Sequence, residues 1–330
     1  MKATEINKDG ATLLDYQFDT LLDLVFFIEN TKPITRENSS ITGSYSFTGT
    51  HSYDEAMDMC KNGYFSEDVE KFQKIFFKVA NQIDRKMKRL GVKHDVVGGV
   101  PDVPRYLMGH PLNMMAPAIR PMEKKPKPIN LRFNAAVSAG TSKSTIERRG
   151  LAFVLLFQLL DKLGCNVTLE TDEFSKGNGW GTVENYYVNV GVKLMKQGDI
   201  MNISKIYFPL VHPSYLRRIM FATEERMPKL ENRQDFFDGY GRPTSLREYI
   251  KFKDETLKKD EINIFSDDYS YDSVKNALKE IIKQIGDEGG LKTPTEQVME
   301  LLDEIDFSPL SKFNDDDNYR DDEDDFFDWL

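Results

Sequence analysis

The residues with the clearest capacity for chemistry lie in one short stretch, Ser138-Ala139-Gly140-Thr141-Ser142-Lys143-Ser144. It follows a strand expected over Ile129–Val137. It precedes a helix that the capping box Ser144-Thr145-Ile146-Glu147 would open. Backbone amides at such a junction point outward, and the helix dipole favours an anion there. Ser138, Gly140, Thr141, Ser142, Lys143 and Ser144 therefore form a candidate ligand crevice. The loop is not a phosphate-binding Walker loop, because Val137 and Ser142 stand where glycines are needed. Its simpler reading is a serine-rich cap on the helix.

Other chemistry-bearing residues are scattered. Among the four histidines, His94 and His110 share a segment with Asp95 and Asp102, but their spacing matches no zinc pattern. His212-Pro213-Ser214 places a histidine near a serine, with Ser214 expected as a helix N-cap. The pairs Arg148-Arg149 and Arg217-Arg218 are candidates for tracking a nucleic-acid backbone. No catalytic residue, metal site or cofactor follows from these patterns.

The C-terminus is the most specific feature. Residues 314–330 read NDDDNYRDDEDDFFDWL and carry a net charge of −8 out of −10 for all 330 residues. Such a tail cannot bury a core, and disorder is expected. Phe326, Phe327 and Trp329 at its end would anchor in a partner's pocket while the aspartates steer the encounter. The body is nearly neutral, so it neither demands nor excludes nucleic acid.

The elements that must position these residues are read from periodicity. Leu21–Ile28 suggests a short helix, and Asn38–Thr50 a loop with an edge strand. Ser52-Tyr53-Asp54-Glu55 caps a helix that Asn62-Gly63 stops, and Ser66–Gly91 forms a longer amphipathic one. Gly98–Pro111 is too rich in Gly and Pro for a long regular element. Strands are expected at Ile129–Val137, Cys165–Glu170, Tyr186–Leu194, Ser204–Val211 and Glu261–Ser266. Helices are expected at Ser144–Leu163, Asp272–Ile285 and Glu296–Ile305. The alternation implies an α/β fold with a mostly parallel sheet and flanking helices. A smaller, mainly helical N-terminal region (1–128) precedes the α/β domain (129–285, with an insertion at about 226–260). A C-terminal helix region (286–313) and the tail (314–330) complete the chain.

Composition removes several classes. With 40% apolar and 30% charged residues the profile is that of a soluble domain, and no run approaches a membrane span. Two cysteines, Cys60 and Cys165, cannot build a disulfide scaffold. The first ten residues lack a signal-peptide pattern, so a cytoplasmic location is expected.

The order strand, helix, strand, edge strand, then strand and helix over about 129–285 resembles a von Willebrand factor A-like, Rossmann-type sheet with one antiparallel edge strand. The segments GGVPDVPRYLMGHPLNM and HPSYLRRIMF are similar to those of uncharacterised tailed-phage proteins. This resemblance implies a viral origin and action in the host cytoplasm. The family's metal motif is Asp-x-Ser-x-Ser; here Ser138 replaces the lead Asp and Gly140 the middle Ser, leaving only Ser142. The charge that magnesium requires is missing, and no metal is expected. The acidic aromatic tail is similar to those of single-stranded DNA-binding proteins. Three functions stay open: a non-enzymatic protein-interaction module with a docking tail; a single-stranded DNA-binding or replication accessory protein; and an enzyme using the Ser138–Ser144 crevice.

Overall fold

The computed structural model describes residues 1–34, 39–64, 92–117, 128–162, 165–177, 185–196, 202–227, 240–253, 262–266 and 295–304. It also describes positions 70, 74, 77, 199, 276, 279, 280, 282 and 283. Most of the expected helix at 66–91, much of that at 272–285, and the whole tail lie outside the described residues.

The chain opens with two strands, β1 (Lys2–Lys8) and β2 (Ala11–Phe18), paired antiparallel. Asp9 and Gly10 join them with φ of 51° and 73°, the left-handed pair that a two-residue hairpin turn requires. β2 then pairs in parallel with a long strand in the second half of the chain. The first eighteen residues therefore belong to the main sheet rather than to a separate helical region. α1 (Leu21–Asn30) follows, capped by the Thr20 hydroxyl, which accepts from the Asp23 amide at 3.1 Å.

The stretch read as loop and edge strand instead forms two short helices, α2 (Ser39–Thr42) and α3 (Tyr45–Thr48). α4 (Tyr53–Asn62) has the expected cap, with Ser52 Oγ accepting from the Glu55 amide at 3.1 Å. Residues 92–117 form a small second sheet in the order β3 (Val92–Asp95), β5 (Met114–Pro117), β4 (Val100–Pro101), with α5 (Val103–Leu107) between β4 and β5.

The α/β body follows: β6 (Ile129–Asn134), α6 (Lys143–Lys162), β7 (Val167–Lys176), β8 (Asn185–Met195) and α7 (Ile203–Val211). A π-helix, Tyr215–Met220, runs directly into α8 (Phe221–Glu224). Next come β9 (Arg242–Pro243), α9 (Leu246–Phe252), β10 (Ile262–Phe265) and α10 (Thr295–Glu304). α7 was expected to be a strand. Its sequence ISKIYFPLV is apolar nearly all round because the helix is buried on most sides, so no single-face period exists to distinguish it.

The main sheet is mixed, in the order β1-β2-β8-β7-β6-β10, with β9 added along β7. β7, β6 and β10 run parallel, as do β2 and β8, while β7 and β8 are antiparallel. β8 is thus the expected antiparallel strand, but β2 and β1 extend the sheet beyond it. One face of the sheet packs on α1, α4, α6, α7 and the Tyr215–Glu224 helix through a large apolar core that includes Phe133, Phe153, Leu169 and Phe208. The other face carries a smaller core of Leu13, Phe174, Tyr187 and Phe265 under Leu246 and Tyr249 of α9. That helix lies inside the stretch read as an insertion. Among the described residues, no helix is long and apolar enough to cross a membrane.

Candidate functional site

The Ser138–Ser144 loop lies where the crevice rule places a ligand, beyond the carboxyl end of β6 and between its neighbours β7 and β10. Its own side chains are largely spent on local order. Ser142, not Ser144, caps α6: its hydroxyl accepts from the Thr145 amide at 3.2 Å and contacts Ser144 Oγ and Thr145 Oγ1 at 3.0 and 2.8 Å. The Thr141 carbonyl accepts from Arg217 at 2.6 Å, and the Lys143 ammonium sits over the Tyr45 ring. Ser138 and Gly140 are exposed.

Beneath the loop is a small cleft of about 10 Å3, room for about one water molecule and far below the ~300 Å3 of ordinary small-molecule pockets. Its walls are mostly apolar, with Arg149, His212 and Tyr215 as polar exceptions. The Arg149 guanidinium donates to Ser266 Oγ at 3.0 Å and lies over the Phe133 ring. Of the other basic candidates, the Arg148 side chain lies outside the described residues.

His212 and Ser214 form no dyad. The Ser214 amide donates to His212 Nδ1 at 3.2 Å, while the Ser214 hydroxyl donates to the Thr48 carbonyl at 2.6 Å and meets Thr50 Oγ1 at 2.8 Å. Ser214 makes no side-chain cap, contrary to the sequence expectation. Burial, aided by the nearby Lys143 charge, pushes the His212 imidazole down to about 4, so it is neutral and already serves as an acceptor.

Arg217 and Arg218 are not on the surface. They are 3% and 1% exposed, and their donors face inward. Arg217 donates to the Phe47 and Thr141 carbonyls and stacks on the Phe47 ring. Arg218 donates to the carbonyls of Ser40, Ile41, Gly43 and Thr50 and to Thr50 Oγ1, at 2.7 to 3.1 Å. The segment α2–α3 has few ladder bonds of its own, and these guanidiniums supply its carbonyls with donors. They are unreachable by a phosphate backbone, which corrects their reading as nucleic-acid contacts. Phe326, Phe327 and Trp329 lie outside the described residues.

Two features escaped sequence reasoning. The first is a buried polar network under α9. Arg132 forms a two-pronged pair with Asp172 at 3.0 and 2.6 Å. Lys253 meets Asp15 at 2.9 Å, the Tyr249 hydroxyl donates to Asp15 at 3.1 Å, and Asn189 donates to both Asp15 and Asp172. Arg132 and Lys253 each face a buried carboxylate, and Glu170 lies 3.6 Å from Arg132, so the network ties β2, β6 and β7 to α9.

The second feature is the arm 92–117. No residue from His94 to Ala116 is buried. Val96, Val97, Val100, Val103, Tyr106, Leu107, Met108 and Leu112 all present large apolar side chains to solvent, with Leu107 78% exposed. The arm is shaped by polar contacts instead. Asp102 caps α5 through the Arg105 amide and pairs with His94 Nε2 at 2.8 Å, contacts that hold its carboxyl below the usual range. Among the described residues, no three His, Cys, Asp or Glu side chains converge as metal ligands.

Fold and surface together define a mixed α/β domain with a closely packed helical face and a projecting apolar arm. The family model "Domain of unknown function (DUF7192)" matches residues 4–288, and the chain belongs to this family. No curated protein and no solved structure matches the chain.

Proposed function

We propose that this protein is a non-enzymatic interaction module, and that its arm 92–117 is the surface that seats a protein partner. The observation that carries the reading is an arm with eight exposed apolar side chains and no buried residue between His94 and Ala116. A short ribbon without a core is marginal in water, and contiguous exposed apolar surface of this kind marks an interaction site. In this reading the acidic tail, with Phe326, Phe327 and Trp329, is a second docking element. The domain is a degenerate von Willebrand factor A-like fold of a tailed-phage protein, working in the host cytoplasm. The run β6, α6, β7 and antiparallel β8 supports the fold assignment, although β8 is interior.

The alternatives are weaker. The single-stranded DNA reading loses Arg217 and Arg218 to the interior. The enzyme reading finds the Ser142 and Ser144 hydroxyls bonded to each other and the nearby imidazole neutral and engaged.

The test is a photo-crosslinking residue placed at Leu107 of the full-length protein in its native cells, with exposed Phe26 as the control position. A discrete protein adduct from position 107 alone is expected, and it should vanish when Val97 and Met108 are replaced by serine. Equal labelling from both positions, or none from 107, would refute the assignment of the arm.

A further inference from the structure

We propose that Glu173 and Glu224 share a single proton in the folded protein, and that loss of this proton destabilises the fold. Glu173 points from β7 to the helical face, in the alternation Thr171, Glu173, Ser175. Glu224 ends α8. They are 2% and 1% exposed. The two carboxyls act directly on each other's ionisation, but two carboxylates offer no donor. Accordingly Glu173 Oε2 and both Glu224 oxygens lack a donor at good hydrogen-bond geometry, with the Ser175 hydroxyl the neutral donor beside Glu173. One proton placed between them supplies the missing donor and halves the buried charge.

The surroundings cannot do this by charge. Asp172 acts on Glu173 and Glu225 on Glu224, both repulsive. The basic groups on the neighbouring elements are committed elsewhere. Arg132, on the opposite face, holds Asp172; Arg218 holds α2 and α3. Arg226 donates to the carbonyls of Ile28, Thr31 and Ala222 and lies 3.8 Å from Glu225. The remaining titratable neighbours are the Tyr215 and Tyr53 hydroxyls, both pushed upward by burial and so neutral. Burial raises Glu173 from 4.5 to about 7 and Glu224 upward as well. The folded state therefore holds a proton that the unfolded chain releases. Its stabilisation is complete below the unfolded carboxyl range and is lost as pH rises through about 7.

The experiment compares urea unfolding of the full-length wild type and Glu224→Gln from pH 5.5 to 8.5. The glutamine amide donates permanently where the proton stood. In the wild type, the unfolding constant should rise up to tenfold per pH unit over the lower part of this range, and the slope should be shallower in the variant, where burial alone still raises Glu173. Glu170, also raised by burial, contributes to both proteins and cancels in the difference. Parallel slopes would overturn the proposal. Infrared spectra of the wild type at pH 6 test it without a variant. A protonated carboxyl band that disappears by pH 8.5 is expected, and its absence at pH 6 refutes the shared proton. If magnesium or calcium raises the melting temperature of the wild type at pH 8 but not that of Glu224→Gln, the pair is a cation site and the proton reading falls.

Discussion

Replacing Arg218 by methionine keeps the length and most of the volume of the side chain while removing its five donor contacts. Four of the acceptors are backbone carbonyls, of Ser40, Ile41, Gly43 and Thr50. The fifth, Thr50 Oγ1, retains its contact with Ser214. A buried acceptor left without a donor costs about 1–3 kcal/mol, though water reaches some of this segment, since Ile41 is about half exposed. Removing the guanidinium also removes its own desolvation cost, which offsets part of the loss. The net destabilisation is about 3–4 kcal/mol, a fall in melting temperature of roughly 4–6 °C for a chain of this size. Arg218→Lys retains the charge and three donors, fewer than the five contacts require, and should lose about half as much. Circular dichroism melts measure the temperatures, and limited proteolysis reads the segment itself, with cleavage between residues 39 and 50 accelerated in the methionine variant. A methionine variant melting within about 2 °C of wild type would refute the reasoning. So would a lysine variant no better than methionine, since the donors would then not be what holds α2 and α3.

Two further outcomes follow from buried geometry. His212 is held neutral in the fold and charges on unfolding, so its contribution is full above the ordinary imidazole range and is lost as pH falls from about 6.5 toward 4. That loss is on the order of 3 kcal/mol in full and about 2 kcal/mol between pH 7.5 and 5, and His212→Gln should flatten it, as urea titrations at those two pH values would show; equal acid sensitivity in both proteins would count against the burial argument. At Gly150 a Cβ would lie 2.0 Å from the Leu210 carbonyl oxygen, where α6 and α7 cross. Gly150→Ala should therefore destabilise by about 3 kcal/mol despite alanine's better helix propensity, and a variant as stable as wild type in urea would show that the crossing can relax.

The local parts of this fold were legible because their signals are local. Strands β6, β8 and β10 and helices α1, α4, α6 and α10 match the sequence expectation to within a few residues, and β7 starts where expected but runs six residues further, to Lys176. Period and turn chemistry act over a few positions, and they survive whatever the chain packs against. The β1–β2 hairpin carries a local signal as well, Asp9-Gly10 between two alternating runs. Helix α7 was not legible, since burial on most sides erases the period that tells helix from strand.

Contacts between distant positions decided the rest. Arg217 and Arg218 look like a surface basic pair in sequence; only their placement against residues 40–50, some 170 positions away, turns them inward. The crevice loop was correctly placed at the carboxyl edge of β6. Whether the Ser142 and Ser144 hydroxyls were free depended on which serine capped α6. Glu173 and Glu224 carry no shared motif, being fifty-one positions apart, and they become a pair only when the Tyr215–Glu224 helix lies on β7. The apolar residues of 96–112 were visible in the sequence, but a Val or Leu reads the same in a core as on a surface. Only the folded chain shows that nothing described covers them. Periodicity reports which way a residue faces within its own element, and burial depends on what the rest of the chain brings to that face.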